Sequence, residues 1–415
     1  MWRRMVVTPL WRRGMAGLAL GLALLVAACG PADGGGLAPT PTVAPTATAT
    51  PTPCAAWSVI PGGAPTKYAQ SRLMAVSALS PSRAWAVGQT FVGDGNGQAA
   101  TLIESWDGAS WRIASSSVAG GLSGVAAVSP YDVWAVGAQT VEMGGHLALI
   151  ERWNGTRWSV MPSPEEVSAH FNSSLSSVVA LAANDVWAVG SYGDPGRIWP
   201  LTERWDGAAW KVVVAPDPPG AWDSKLNAVA RIPGTNQLWA VGSTLKTQPV
   251  NYSQALIERW NGSAWSMVSG PTLPAGSFGA ALNGVVALSA NEAWSVGEYT
   301  ASDHTIRALI AHWDGVAWTI VSGPRAWGKL SAVAASARDV RAVGYQFTGS
   351  EGQIQRGLIE QWDGSTWRVV ESPAPDDATS AHFIGVTAAS AGAYWTVGDY
   401  LTAASSSQAL IARCA

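Results

Sequence analysis

Proton-transfer chemistry in this chain would have to come from a few isolated groups. His146, His170, His304, His312 and His382 stand one by one along 415 residues, a spacing that gathers no metal-ligand set and implies no cofactor. Glu165, Glu166 and His170 lie close together, and these with His382 are the candidates for an acid and a base acting on a polysaccharide. No such pair recurs at a recognisable spacing, so binding without catalysis is the better reading. Stacking chemistry is more abundant: Tyr192, Trp199, Trp222, Tyr252, Tyr299, Trp327, Tyr345 and Tyr400 stand outside any repeated motif. Aromatic faces of this kind, with His170 and His382, suit a glycan or protein ligand.

The elements that must position these residues are set by a repeat. Trp-Ala-Val-Gly and near copies end at Gly88, Gly137, Gly190, Gly242, Gly297, Gly344 and Gly398, at intervals of 47–55 residues. Such a period, built from short apolar runs and turn residues, signals a radial β-repeat. One unit reads as strands over 122–128, 133–137, 147–153 and 158–161, bounded by Gly, Pro, Asn or Asp. Four antiparallel strands per unit make one propeller blade, so the expectation is an all-β, seven-bladed β-propeller over 54–415.

Asp107-Gly108, Asn154-Gly155, Asp206-Gly207, Asn261-Gly262, Asp314-Gly315 and Asp363-Gly364 sit between the third and fourth strands. They are the preferred centres of type I′ hairpins, with positive φ at both residues. Exchange of Asp for Asn among sister units argues for a turn former and against a catalytic carboxylate. The flanking Trp pairs, such as Trp106/Trp111, and the motif Trp residues read as packing between blades. Arg341 alone replaces the motif Trp. Glu104, Glu151, Glu203, Glu258 and Glu360 share one strand position, where backbone or Arg hydrogen bonds are expected to satisfy them.

The seventh unit has three strands, over 384–389, 394–398 and 409–414, and its missing fourth strand matches Cys54-Ala55-Ala56-Trp57-Ser58-Val59. The N-terminal strand should therefore complete the last blade and leave no open edge. In blade alignment Cys54 and Cys414 fall close together across a hairpin, which predicts a disulfide. Turns joining strands one to two and three to four share one face; the variable loops, with the unrepeated aromatics, share the other, the usual geometry of a binding surface.

Residues 1–29 read as an export signal, with Arg3, Arg4, Arg12 and Arg13 ahead of an apolar stretch too short to span a bilayer. Val26-Ala27-Ala28-Cys29 resembles the bacterial lipobox, which implies lipidation of Cys29, a membrane tether and an extracytoplasmic location. Residues 30–53 run from a Gly/Ala stretch into Pro-Thr alternation and read as an extended stalk. Charged residues are only 13% of the chain and the net charge is −3; with no basic run, nucleic acid is excluded as a partner, and a monomer is expected.

The hydrophobic-x-hydrophobic-Gly strand, the variable loop and the aromatic-Asp-Gly-x-x-Trp hairpin resemble kelch-type repeats of the galactose-oxidase-like propeller superfamily over 54–414. The usual Gly-Gly doublet is Ala-Val-Gly here, and the aromatic-to-Trp gap is shorter. The copper site of galactose oxidase requires a Tyr–Cys crosslink, for which no Cys remains, so the resemblance extends to fold alone.

Overall fold

Short apolar runs punctuated by Gly, Pro, Asp and Asn are too brief for helices, and in the computed structural model of the protein every named element is a strand. The structure describes residues 54, 56–63, 70–91, 99–114, 118–141, 145–164, 167, 170, 172–246, 252–324, 327–349 and 354–414. Segments 1–29 and 30–53, with Cys29, and the candidates Glu165 and Glu166 lie outside the described residues.

The strands pair antiparallel in runs of four. Unit 1 consists of Gln70–Ser80, Arg83–Phe91, Ala99–Trp106 and Trp111–Ile113. Units 2 to 6 follow over 120–161, 172–212, 223–267, 279–320 and 328–370. Ala378–Ser390, Ala393–Thr402 and Ser407–Cys414 form unit 7 together with Trp57–Val59, whose register is Trp57↔Cys414, Ser58↔Arg413 and Val59↔Ala412. Cys54 and Cys414 pair beside this join, with Cα atoms 5.6 Å apart. Single parallel bridges, Asn172↔His146 and Ile198↔Asp223, connect units 2, 3 and 4. The first strands of successive units are neighbours, and those of units 7 and 1 are neighbours too.

The strands extend beyond the apolar runs. The first strand of unit 2 is Gly120–Ser129 and the second Asp132–Thr140, because backbone pairing continues through polar residues once the register is fixed. The motif glycine has a specific cause. In all seven units the first strand carries a register shift beside the residue paired with that glycine, as at Leu73/Ala75 opposite Gly88 and Leu175/Ser177 opposite Gly190. The bulge brings backbone so close that a Cβ on Gly190 would collide with the Ser174 carbonyl oxygen.

The tryptophans pack between units. Trp187 of unit 3 lies 4.7 Å from Trp260 and 5.7 Å from Trp265 of unit 4, the latter edge-on at 79°. Trp134, Trp239, Trp294 and Trp395 repeat this arrangement on the hairpin pairs of units 3, 5, 6 and 1. Edge-to-face rings complement each other electrostatically as well as burying area. Arg204 covers the open side of Trp187 at 5.3 Å while gripping Asp185.

Arg341 belongs to a seam where this triad is rebuilt. Its counterpart across the seam is Cys414 with Trp57, not a Trp pair. Tyr394 fills the space, 6.5 Å from Trp57, and donates its hydroxyl to the Asp339 carbonyl oxygen at 2.7 Å. Arg341 lies buried over that ring at 5.3 Å and pairs with Asp339 at 2.9 Å.

One local expectation fails and another holds in part. The Asp-Gly hairpins are not two-residue type I′ turns: Trp106 pairs with Trp111, leaving a four-residue connection, and among the hairpin residues only the glycines have positive φ. Asp107 instead accepts the backbone N–H groups of Ala109 and Ser110, each at 2.9 Å, and Asn154 does the same for Thr156 and Arg157 at 3.0 Å. This side-chain capping explains the Asp/Asn exchange better than mirror-image dihedrals. The repeated glutamates are buried; Glu104 has a backbone donor as expected, whereas the donor found at Glu203 is a side-chain hydroxyl. Glu104 accepts Gly63 N–H at 2.7 Å, and Glu203 accepts the Ser163 hydroxyl at 3.0 Å. Each donor comes from the segment entering that unit, because the Arg side chains are committed to the neighbouring Trp rings.

Candidate functional site

The end of each unit where strand two turns to strand three carries the unrepeated residues. The opposite end is regular: Trp106 Nε1 donates to the Pro81 carbonyl and Trp313 Nε1 to that of Ala290, tying hairpin to turn. Function is therefore sought at the irregular end.

A cavity of about 390 Å³ is lined by one triplet from each first strand, among them Ser123–Val125, Asn227–Val229 and Ser331–Val333. Its walls are mostly Val, Ala and Gly, with Ser and Asn between them. Asn227 and Asn283 donate across the gap to the carbonyls of Leu282 and Leu330, at 2.8 and 2.9 Å.

Beside this cavity, sharing Asn283, Ser331 and Ile384 with it, is a polar cleft of about 380 Å³. Asp399 is its most buried charge. Arg72 Nε lies 3.4 Å away and His382 Nδ1 3.5 Å away, and the Ser407 hydroxyl donates to Asp399 at 3.1 Å. Burial pushes the Asp399 carboxyl up, but the His382 hydrogen bond and the Arg72 charge together hold it below its usual range. The other ring nitrogen of His382 meets Gln355 Oε1. On the far wall Lys329 pairs with Glu298 at 3.1 Å, and Asn283 donates to the same carboxylate at 2.5 Å. Each cation faces an acid, so the cleft carries little surplus charge.

An aromatic row leads into this cleft. Trp327, 37% exposed, packs on Phe347 at 5.6 Å; Phe347 meets Tyr345 at 5.5 Å; Tyr345 meets His382 at 5.0 Å. Alternation along Asp339–Thr348 explains why Tyr345 and Phe347 share a side. A second group forms in unit 3, where His170, Tyr192 and Trp199 lie 4.9–6.0 Å apart and Arg197 sits 5.4 Å over Trp199.

No family model matches the chain, and no curated protein matches it. Solved structures resemble it in fold only. A Dyadobacter fermentans protein of unknown function aligns with TM-score 0.48 and 10% identity over 86% of this chain and 97% of its own. The BP39L lectin of Burkholderia pseudomallei gives 0.48 and 15% identity over 82% and 95%. Trypanosoma rangeli sialidase gives 0.48 and 10% identity over 88% of this chain but 59% of its own.

The structure thus brings Trp327 together with His382, and His170 with Tyr192 and Trp199. Tyr299 stands apart from both, beside Tyr252 and Phe278 in a groove between units 4 and 5. Trp222 is half exposed and joins neither group; Tyr400 packs against the core of unit 7. Sequence reading missed Arg72, Lys329, Glu298 and Asp399. Their signal lies in the register. The residue after the motif Gly is Gln89, Ala138, Ser191 and Ser243 in units 1 to 4, then Glu298, Tyr345 and Asp399 in units 5 to 7. The residue before the first strand's Leu or Phe is Arg72, Lys225, Lys329 and His382 in units 1, 4, 6 and 7. Apart from Lys225, both departures fall on units 5, 6, 7 and 1.

Proposed function

We propose that the seven units close into a seven-bladed β-propeller that acts as a non-catalytic scaffold binding glycan through its irregular face. Closure is supported by the adjacency of first strands, including units 7 and 1, and by the cavity to which every unit contributes. The join of Trp57–Val59 to Ser407–Cys414, with Cys54 and Cys414 disulfide-bonded, would hold the ring shut. The kelch-like resemblance, the export signal, the lipid on Cys29 and the 30–53 stalk complete the reading and rest on sequence alone.

The observation that carries the binding role is the aromatic row from Trp327 to His382 leading into the charge-balanced cleft. A pyranose presents C–H groups on its faces, which stack on aromatic rings, and hydroxyls at its rim, which pair with Asn, Gln and carboxylate groups. A glycan array tests this: the protein binds carbohydrate, and Trp327→Ala with Tyr345→Ala removes binding without lowering the melting temperature. Absence of binding on the array, or binding indifferent to both substitutions, refutes it.

Hydrolysis is the second reading, favoured by His382 standing between Asp399 and the Ser380 hydroxyl, at 3.5 and 3.4 Å. Ser380 also donates to the Gln355 carbonyl at 3.1 Å, which directs its proton away from His382. Release of reducing sugar from a polysaccharide, lost in His382→Ala, would favour the enzyme.

A further inference from the structure

We infer that the ligand is a linear, neutral polysaccharide held at two places on the irregular face, the second being the His170–Tyr192–Trp199 group of unit 3. This rests on the glycan reading above and extends it from one site to two.

The placement comes from the order of the units. The first platform spans units 6 and 7, with Trp327, Phe347 and Tyr345 in unit 6 and His382 in unit 7. Unit 3 is separated from unit 6 by units 4 and 5, and from unit 7 by units 1 and 2. The two platforms therefore oppose each other across the cavity. Adjacent sheets pack about 10 Å apart, so opposite members of a seven-sheet ring stand roughly 20 Å apart at that radius. A monosaccharide or chain end would occupy one platform; a polymer crossing the mouth of the cavity would touch both.

The second platform has the same construction as the first. Three rings lie tilted at 34–65° to one another and polar groups hold them in place. His170 Nδ1 pairs with Asp194 at 3.1 Å, and Arg197, stacked on Trp199, is anchored by Asp217 at 2.6 Å. Each cation again faces an acid. With Arg72–Asp399 and Lys329–Glu298 balanced in the same way, each cation named in the two platforms faces an acid; the exposed Lys225 of unit 4 lies outside both. Neutrality of the ligand follows from that balance.

Two weak sites joined by one ligand give avidity of about 10²–10⁴ over either alone when the ligand spans both. The test compares soluble mixed-linkage β-glucan with its tetrasaccharide fragments by titration calorimetry, using the intact protein. Trp199→Ala should weaken polymer binding by about tenfold or more and leave tetrasaccharide binding at the first platform within about twofold. Trp199→Phe, which keeps a ring, should retain most of the polymer affinity and guards against misfolding as the cause. Equal losses on polymer and tetrasaccharide, or no loss on either, overturn the two-site inference while the first platform stands. Tighter binding of a carboxylated polymer than of the neutral one overturns the assignment of charge. Failure of both glucans, with other carbohydrate bound only where Trp327 is intact, leaves the single-site reading and overturns this one; no carbohydrate binding at all overturns both.

Discussion

Removing the Cys54–Cys414 link should weaken the fold substantially, and almost wholly through the unfolded chain. The two residues are separated by 360 positions. Cross-linking so long a loop restricts the denatured ensemble by about 6 kcal/mol in the chain-entropy model, and residual denatured structure brings the expected value to about 3–5 kcal/mol. In the native state little else changes, since Trp57 keeps its pairing with Cys414 and its contact with Tyr394. The assay is guanidinium unfolding followed by tryptophan fluorescence, on oxidised protein, reduced protein and the Cys54→Ala/Cys414→Ala variant. Reduced protein and the double variant should agree within about 1 kcal/mol, both well below the oxidised form, and with a steeper denaturant dependence because the unfolded chain expands. Two free thiols in unreduced protein, or oxidised and reduced midpoints that coincide, would refute the reasoning.

Three further outcomes follow from the packing. Trp187→Ala, at a fully buried triad, should cost about 3–5 kcal/mol by urea denaturation, whereas Trp222→Ala, half exposed, should stay within about 0.5; equal costs would remove the distinction between packing and loop tryptophans. Gly190→Ala should cost about 1–3 kcal/mol or more, because the new methyl meets the Ser174 carbonyl; unchanged stability would show that the bulge yields. Burial and the neighbouring Asp217 charge raise the Glu258 carboxyl to about 8, and burial raises Glu203 to about 7 against the Ser163 hydroxyl. A folded pKa above the unfolded 4.5 means the native state binds the extra proton, so stability is full below pH 4.5 and falls as pH rises toward 7–8, by up to about 1.4 kcal/mol per pH unit for each such group. Glu258→Gln should flatten that slope in urea midpoints between pH 5 and 9; an unaltered slope would assign the dependence elsewhere.

Much of the fold was legible because its determinants are local and repeated. Trp134-Ala135-Val136-Gly137 marks a strand in any unit, and Trp57 aligned with Trp158 revealed a strand far from its partners. Repetition also supplied controls: Asn154 in the place of Asp107 ruled out a catalytic carboxylate. What stayed hidden depends on geometry across units. The type of the Asp-Gly hairpin was misread because capping by a side chain and mirror-image dihedrals leave the same sequence mark. Arg341 made sense only once Tyr394 and Cys414 were seen across the seam. The cleft escaped for a similar reason: Arg72 and Asp399 are 327 positions apart in sequence and 3.4 Å apart in space. Only the unit register, read for its exceptions, brings them onto one arc.

The joining of Trp57–Val59 to Ser407–Cys414 also sets a timetable for biosynthesis. Units 1 to 6 use only contiguous chain, so each can form as soon as its hairpin is made. Trp57–Val59, by contrast, waits without its partner until Ser407–Cys414 has been made. A product that stops short of that strand therefore carries an unpaired edge, the feature that templates association between chains. Such a molecule is exposed to mispairing throughout its elongation, and emergence of Ser407–Cys414 is the event that ends that exposure.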